Sequence, residues 1–340
     1  ALTHSEKLAA ARGLHAVPSF HPDLVWGNAV STLAFLAGTP NAFTQRLGQV
    51  RTAFSQYQLG VYWQDDFRIH RALALSVGVR EELQTNVGDA MNVMPRFGFT
   101  FTPLRARLTV RGGYGIFHDW YESSLHDQTL RVTGEADAQR DLLILDPGYP
   151  DPRGAAAATI LGSGRVQAAP GLRMPYVQQA SIGLERPITQ RLMFQASYNR
   201  IRGLNQLRSR DVNAPDAFGI RPEPGVGTVT QIESRGRSAS DRVNVNLFFR
   251  VPQRRIFMGA NYTWSTVRNH ADNPLALPAD SRNPDAEWGP AAQDVRHRFN
   301  AMANVGLPLG IRFFVNSVAQ SAAPYTVITG RDDNRDGVTN

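Results

Sequence analysis

Residues 56–80 alternate with period two. Tyr57, Leu59, Val61 and Trp63 interleave with Gln58, Gly60, Tyr62 and Gln64, and after a short break Leu73, Leu75, Val77 and Val79 interleave with Ala74, Ser76 and Gly78. Successive side chains of a strand point to opposite faces, so this pattern makes two strands, each with an apolar and a polar face. Residues 69–71 join them into a hairpin. A soluble sheet packed on one face satisfies the pattern, and so does a membrane barrel whose apolar face meets lipid. The remainder of the chain separates the two.

Four more hairpins come after it, with turns at 103–106, 187–190, 252–255 and 307–310. Their apolar parities include Phe97, Phe99 and Phe101, then Ile182 and Leu184, then Val243, Val245 and Leu247, then Ala301, Ala303 and Val305. Between hairpins lie long stretches rich in Asp, Gly, Pro and Arg, at 118–175, 201–241 and 265–294. Turns of about four residues thus alternate with loops of tens, the asymmetry of outer-membrane barrels with short periplasmic turns and long extracellular loops. Aromatics toward strand ends, among them Trp63, Phe67, Tyr114, Tyr198, Tyr262, Trp264 and Phe299, match the girdles such barrels place at membrane interfaces. Trp63 is expected near the 69–71 turn, on the periplasmic side.

The predicted fold is therefore all-β, an antiparallel transmembrane β-barrel of about ten strands, occupying residues 55–340. Residues 1–54 are poorly typed, a loop with a short helix at 29–36. No stretch of 18 or more apolar residues exists, which excludes helical membrane spans. A mean hydropathy of -0.30 fits a barrel, because lipid-facing and lumen-facing residues average out. Cys is absent, so disulfides and thiolate metal sites are excluded. The formal charge of +7 comes almost entirely from arginines, Lys7 being the only lysine. They are scattered rather than clustered, which argues against a nucleic-acid partner. The first residues lack the apolar core of a signal peptide and the last are loop-like, so both ends read as cuts in a longer protein.

Several segments carry a family resemblance. YQLGVYWQDDFRI followed by LALSVGVREE resembles a barrel hairpin of TonB-dependent outer-membrane receptors. MPRFGFTFTP, LTVRGGYGIFHDW, YVQQASIGLERPI, LMFQASYNRIRG, ANYTWS and AQDVRHRFN are similar to successive barrel segments of the Oar-like subgroup, whose members carry a carboxypeptidase-regulatory-like domain. The resemblance implies a fragment of a barrel of about 22 strands with a plugged lumen. It also implies that the plug, the TonB box and the closing C-terminal strand lie outside these residues. The implied function is binding of a substrate at the extracellular loops and its import across the bacterial outer membrane, with outer-membrane lipid and the TonB complex as partners. The alternative is a surface-interaction or secretion-associated barrel without small-molecule import.

Aromatic and arginine enrichment at binding surfaces singles out Trp120, Tyr121, Arg131, Tyr149 and Trp288 in the long loops as ligand-binding candidates. Asp332, Asn334 and Asp336, followed by Gly337, match the first half of a calcium loop, in which alternating oxygens face a hard cation; the plain alternative is an Asx-rich turn. No other cofactor is expected. His118-Asp119 and His126-Asp127 read as solvated loop pairs, and Gly112-Gly113 as a close strand approach rather than a phosphate loop. No nucleophile–base or paired-carboxylate arrangement stands out, so an enzyme is not expected.

Overall fold

The computed structural model describes residues 24–27, 42–48, 52–103, 107–135, 138–145, 151, 158–161 and 164–338. Its main element is one antiparallel path of ten strands. In chain order these are β3 (Gln58–His70), β4 (Leu73–Gln84), β5 (Val93–Phe101), β6 (Thr109–His118), β10 (Tyr176–Pro187), β11 (Leu192–Asp211), β12 (Val229–Val251), β13 (Ile256–Asn269), β15 (His297–Gly306) and β16 (Arg312–Gln320). Each pairs with its predecessor on the path, so the sheet is a meander with β3 and β16 at its edges. The ten strands of the sequence reading are these ten. The expected helix at 29–36 and the residues 104–106 of the second turn lie outside the described residues.

Register sorts the two faces. Phe67, Leu75, Phe99, Gly112, Ile182, Tyr198, Val243 and Trp264 form one row across eight strands. The row one residue away reads Asp66, Ser76, Gly98, Gly113, Ser181, Asn199, Arg242 and Ser265. One face is therefore apolar and aromatic, the other small and polar. The polar face is concave: a groove of about 710 Å³ runs along it, lined by Asp66, Ser76, Thr100, Arg111, Ser181 and Asn199. Arg111 on this face pairs with Glu185 at 3.0 Å, and Arg80 pairs with Glu82. Small residues make the curvature possible. A Cβ on Gly113 would stand 2.8 Å from the Phe97 carbonyl oxygen, so only glycine lets β6 approach β5 so closely.

Three sequence expectations need correction. Trp63 sits in mid-strand opposite Val79 rather than beside the turn, because β3 runs on to His70 and the turn is Arg71-Ala72. The 201–241 stretch is mostly strand: β11 has 20 residues and β12 has 23, about twice the nine to eleven that cross a membrane. Their pairing continues past a bulge at residues 203–208, where Asn205 takes a left-handed φ of 52°. The 118–175 connection is also structured. It holds helix α1 (Ser123–Arg131) and strands β7 (Arg140–Leu145), β8 (Ala158–Leu161) and β9 (Arg165–Ala168). Strand β9 pairs in parallel with the outer part of β12, and β14 (Gly289–Pro290) pairs with the end of β13.

A second sheet of four strands has the order β1 (Leu24–Gly27), β2 (Ala42–Leu47), β7 and β8, with Phe43, Leu142 and Ile144 as its buried cluster. A larger core under the long loops joins Tyr121, Leu125, Leu172 and Ile232. The protein thus has a thin curved wall carrying structured loops at one end.

The glycine seam yields a test. Gly113→Val is expected to destabilise the folded barrel of the full-length protein by about 1–3 kcal/mol, the usual range for overpacking. Gly88→Val, where an added Cβ meets nothing within 4 Å, serves as control. Heat-modifiable electrophoretic migration reads both; equal behaviour of the two variants removes the close-approach argument.

Candidate functional site

The long-loop end is where side chains of different loops converge. The outer halves of β11 and β12 form a ribbon flanked by β9, and the sequence Val229, Thr230, Ile232 is β-branched enough to build it. On this ribbon Arg208 and Glu233 are both nearly buried, with Nε of Arg208 donating to Glu233 Oε1 at 2.9 Å. Nη1 of Arg208 reaches Asp285 Oδ1 at 2.8 Å and the Pro284 carbonyl at 3.2 Å. Arg210 donates to the second Glu233 oxygen at 3.3 Å. One guanidinium therefore pins the 270–296 loop to the ribbon. The Arg208 contact holds the exposed Asp285 carboxyl below the usual carboxylate range.

Asp211 and Asn213 do the same for the 212–228 loop. Asp211 Oδ1 accepts from the Asn213 and Val229 backbones, each at 2.8 Å, and Oδ2 accepts from Arg221 at 3.1 Å. Asn213 Nδ2 donates to the carbonyls of Glu223, Val226 and Gly227. Ser209 Oγ donates to the Pro274 carbonyl at 2.6 Å.

Two clefts, each of about 520 Å³, open between these loops and share Asn269, Ala271 and Asp272 as a common wall. The first is lined by Arg208, His270, Glu287 and the exposed Tyr325. The second is lined by Trp120, Glu122, Gln206, Arg237 and Gln293. His270 packs its ring on Trp288 at 5.0 Å, and its Nδ1 accepts the Arg237 backbone N–H at 3.0 Å. Burial first, then the Arg208 guanidinium, lowers the His270 pKa from the ordinary imidazole value. A neutral ring suits that hydrogen bond, since protonation would occupy the accepting nitrogen.

The sequence candidates divide. Trp120 lines the second cleft, and Trp288 flanks the first through His270. Tyr121 is 1% exposed and belongs to the loop core, where burial raises its hydroxyl pKa to about 12. Its backbone exchanges two hydrogen bonds with Gln84, at 2.7 and 2.9 Å, so Tyr121 locks the loop to β4. Arg131, in the last turn of α1, pairs with Asp127 at 2.7 Å. Tyr149 lies outside the described residues. Asp332, Asn334 and Asp336 form a closed turn: Asp332 accepts the Asp336 and Gly337 N–H groups, and the fully buried Asp336 accepts Ser281 N–H at 3.0 Å. Asn334 Nδ2 donates to the Ala279 carbonyl at 2.7 Å, so the turn docks on the 270–296 loop. Among the described residues no group of three or more His, Cys, Asp or Glu is placed to hold a metal ion. The Arg208–Glu233–Asp285 network escapes sequence reasoning because its first two members fall in a stretch that reads as loop.

A curved ten-stranded meander with an apolar outside, a polar concave inside and loops gathered at one end is the wall of a membrane barrel. The sequence matches the outer membrane β-barrel domain over residues 25–92 and 86–324, and the chain belongs to that family. Its place is the bacterial outer membrane, with the short turns periplasmic and the long loops outside. Among solved structures it is similar to the outer membrane transporter YddB from Escherichia coli, at 13% identity and a TM-score of 0.61, over 82% of this chain and 35% of that one. It is also similar to the siderophore receptor PirA from Pseudomonas aeruginosa, at 12% identity and a TM-score of 0.50, over 88% of this chain and 46% of that one. The chain thus spans less than half the length of either structure. No curated protein matches its sequence.

The loop network can be tested at both ends of its central arginine. Arg208→Met leaves the buried Glu233 paired with Arg210 alone among the described residues and is expected to destabilise the loops by about 1–3 kcal/mol, the range for losing a hydrogen bond to a charged group. Asp285→Ala, at an exposed carboxylate, is expected to cost less than about 1 kcal/mol. Hydrogen exchange over residues 229–235 and 270–288 measures both. The lowered pKa of His270 gives the loop a pH dependence: the unfolded state binds the proton more readily, so stability is fully present above about pH 6.5. It falls as pH drops through the lower folded-state value. Exchange in 268–272, corrected for intrinsic rates, should therefore accelerate on acidification, and His270→Gln should flatten that response.

Proposed function

We propose that this chain is part of the barrel of a TonB-dependent outer-membrane receptor of the Oar-like type, which captures a substrate at its extracellular loops and admits it through the lumen. The observation that carries the reading is the pair of polar, aromatic-edged clefts at the outer end of a barrel wall whose central inner rows are small and polar. The likeness of fold to an outer membrane transporter and a siderophore receptor supports it. The open edges of β3 and β16 among the described residues support a wall completed by further strands, since lipid satisfies no backbone donor. In this reading residues 55–340 are barrel and its loops, with a plug and a TonB-contacting segment supplied by the full-length receptor. Outer-membrane lipid surrounds the wall. The substrate contacts assigned are Trp120 and Trp288. Catalysis has no part in it.

The test uses cells expressing the full-length protein and a panel of oligosaccharides, peptides and metal chelates. Accumulation of a panel solute should require TonB, and Trp120→Ala and Trp288→Ala should each weaken its binding about tenfold, the scale of an aromatic contact at a binding surface. Uptake that survives loss of TonB sinks the import reading. Surface binding without uptake favours a surface-interaction barrel.

A further inference from the structure

The apolar outer face ends abruptly on β11–β13, and the rows beyond it toward the loops are basic. Tyr198, Val243 and Trp264 form the last largely apolar row there. The next row outward reads Arg200, Asp241 and Thr266, and the one beyond it Arg202, Ala239 and Arg268. Alternation continues unbroken through these rows, since the β11 bulge begins only after Gly203. The three arginines therefore project from the same outer face as Tyr198 and Trp264. Arg200 and Asp241 form an ion pair at 3.4 Å, and Asp241 also accepts the Tyr198 hydroxyl at 2.5 Å. Arg202 and Arg268 are exposed, and neither has a side-chain partner among the described residues. Between them Ala239 offers only a methyl group. With strands about 4.8 Å apart, their Cα atoms stand about 10 Å apart across a shallow slot. Arg237 lies one row further out, beside Asp285 and His270.

Two unpaired guanidinium groups on a lipid-facing wall, just beyond its interfacial aromatics, meet the headgroup layer of the outer leaflet. Guanidinium forms bidentate bonds with phosphate oxygens, and a spacing of about 10 Å suits two phosphates carried by one headgroup better than a single ion. We propose that Arg202 and Arg268, seconded by Arg200, form a lipid-binding site on the outside of the barrel for a headgroup bearing two phosphates. The site is separate from the loop clefts: the arginines face out into the leaflet, whereas the clefts lie among the loops. Its role is to anchor the loop-bearing part of the wall at a set depth in the membrane. The acyl chains would lie against the apolar rows below, over Tyr198, Val245 and Tyr262.

The experiment measures binding of the full-length protein, in neutral detergent, to bis-phosphorylated lipid A by native mass spectrometry. The arms are its dephosphorylated form, inorganic phosphate, the double variant Arg202→Gln/Arg268→Gln, and Arg186→Gln as an outer-face control at the short-turn end. Heat-modifiable migration confirms that each variant is folded. The proposal expects a saturable adduct with the phosphorylated lipid, weakened about tenfold or more in the double variant, unchanged in the control and unaffected by millimolar phosphate. Equal binding of the dephosphorylated lipid overturns it, and so does equal binding by a folded double variant. Displacement by free phosphate at comparable concentration also overturns it, since the slot would then be a small-anion site.

Discussion

Lipid offers no partner to a backbone N–H or C=O, and the whole wall obeys that fact. Along the path each of the ten strands pairs antiparallel with the next, and the added pairings of β9 and β14 fall at the loop ends of β12 and β13, so the sheet needs no crossover through the membrane. Pairing of this kind fixes register, and register forces every row to share a face. A slip of one residue would carry Phe67, Leu75, Phe99 and Ile182 to the concave side and expose Arg111 and Glu185 to lipid. The strict alternation of the chain is what makes that slip costly.

Beyond the membrane the governing interaction changes. Water is present, strands no longer need an apolar face, and order comes from carboxylates and amides that accept or donate several backbone bonds each. Arg208 and Glu233, Asp211 and Asn213, Gln84 and Tyr121 each tie one loop to the end of a strand. The two clefts exist because these ties hold separate loops a fixed distance apart. The outward arginines sit between the two regimes, with Tyr198 and Trp264 on their lipid side and the loop network on the other.

Legibility in the sequence divides the same way. All ten strands of the wall are readable, because lipid on one face and a wet lumen on the other impose period two on every residue. The outer halves of β11 and β12 are not, because Arg208, Ser209, Arg210 and Asp211 are polar on both parities in a ribbon covered by loops rather than lipid. Trp120 is found by residue type and does line a cleft. Tyr121, chosen by the same criterion one position later, is buried, since composition does not reveal which way a side chain turns at the end of a strand. Arg208 carries no signal of its own: its partners Glu233 and Asp285 lie 25 and 77 residues away.

By itself the sequence determined the strand count of the wall, the inward and outward parities and the short-turn, long-loop rhythm, because these are local consequences of alternation and turn chemistry. Tertiary structure alone decided how far the strands run past the membrane, which loop residues are buried and which face a cleft. It also brought Arg202 and Arg268 side by side across Ala239. Those relations join residues tens of positions apart, and only the pairing of β11, β12 and β13 sets the distance between them.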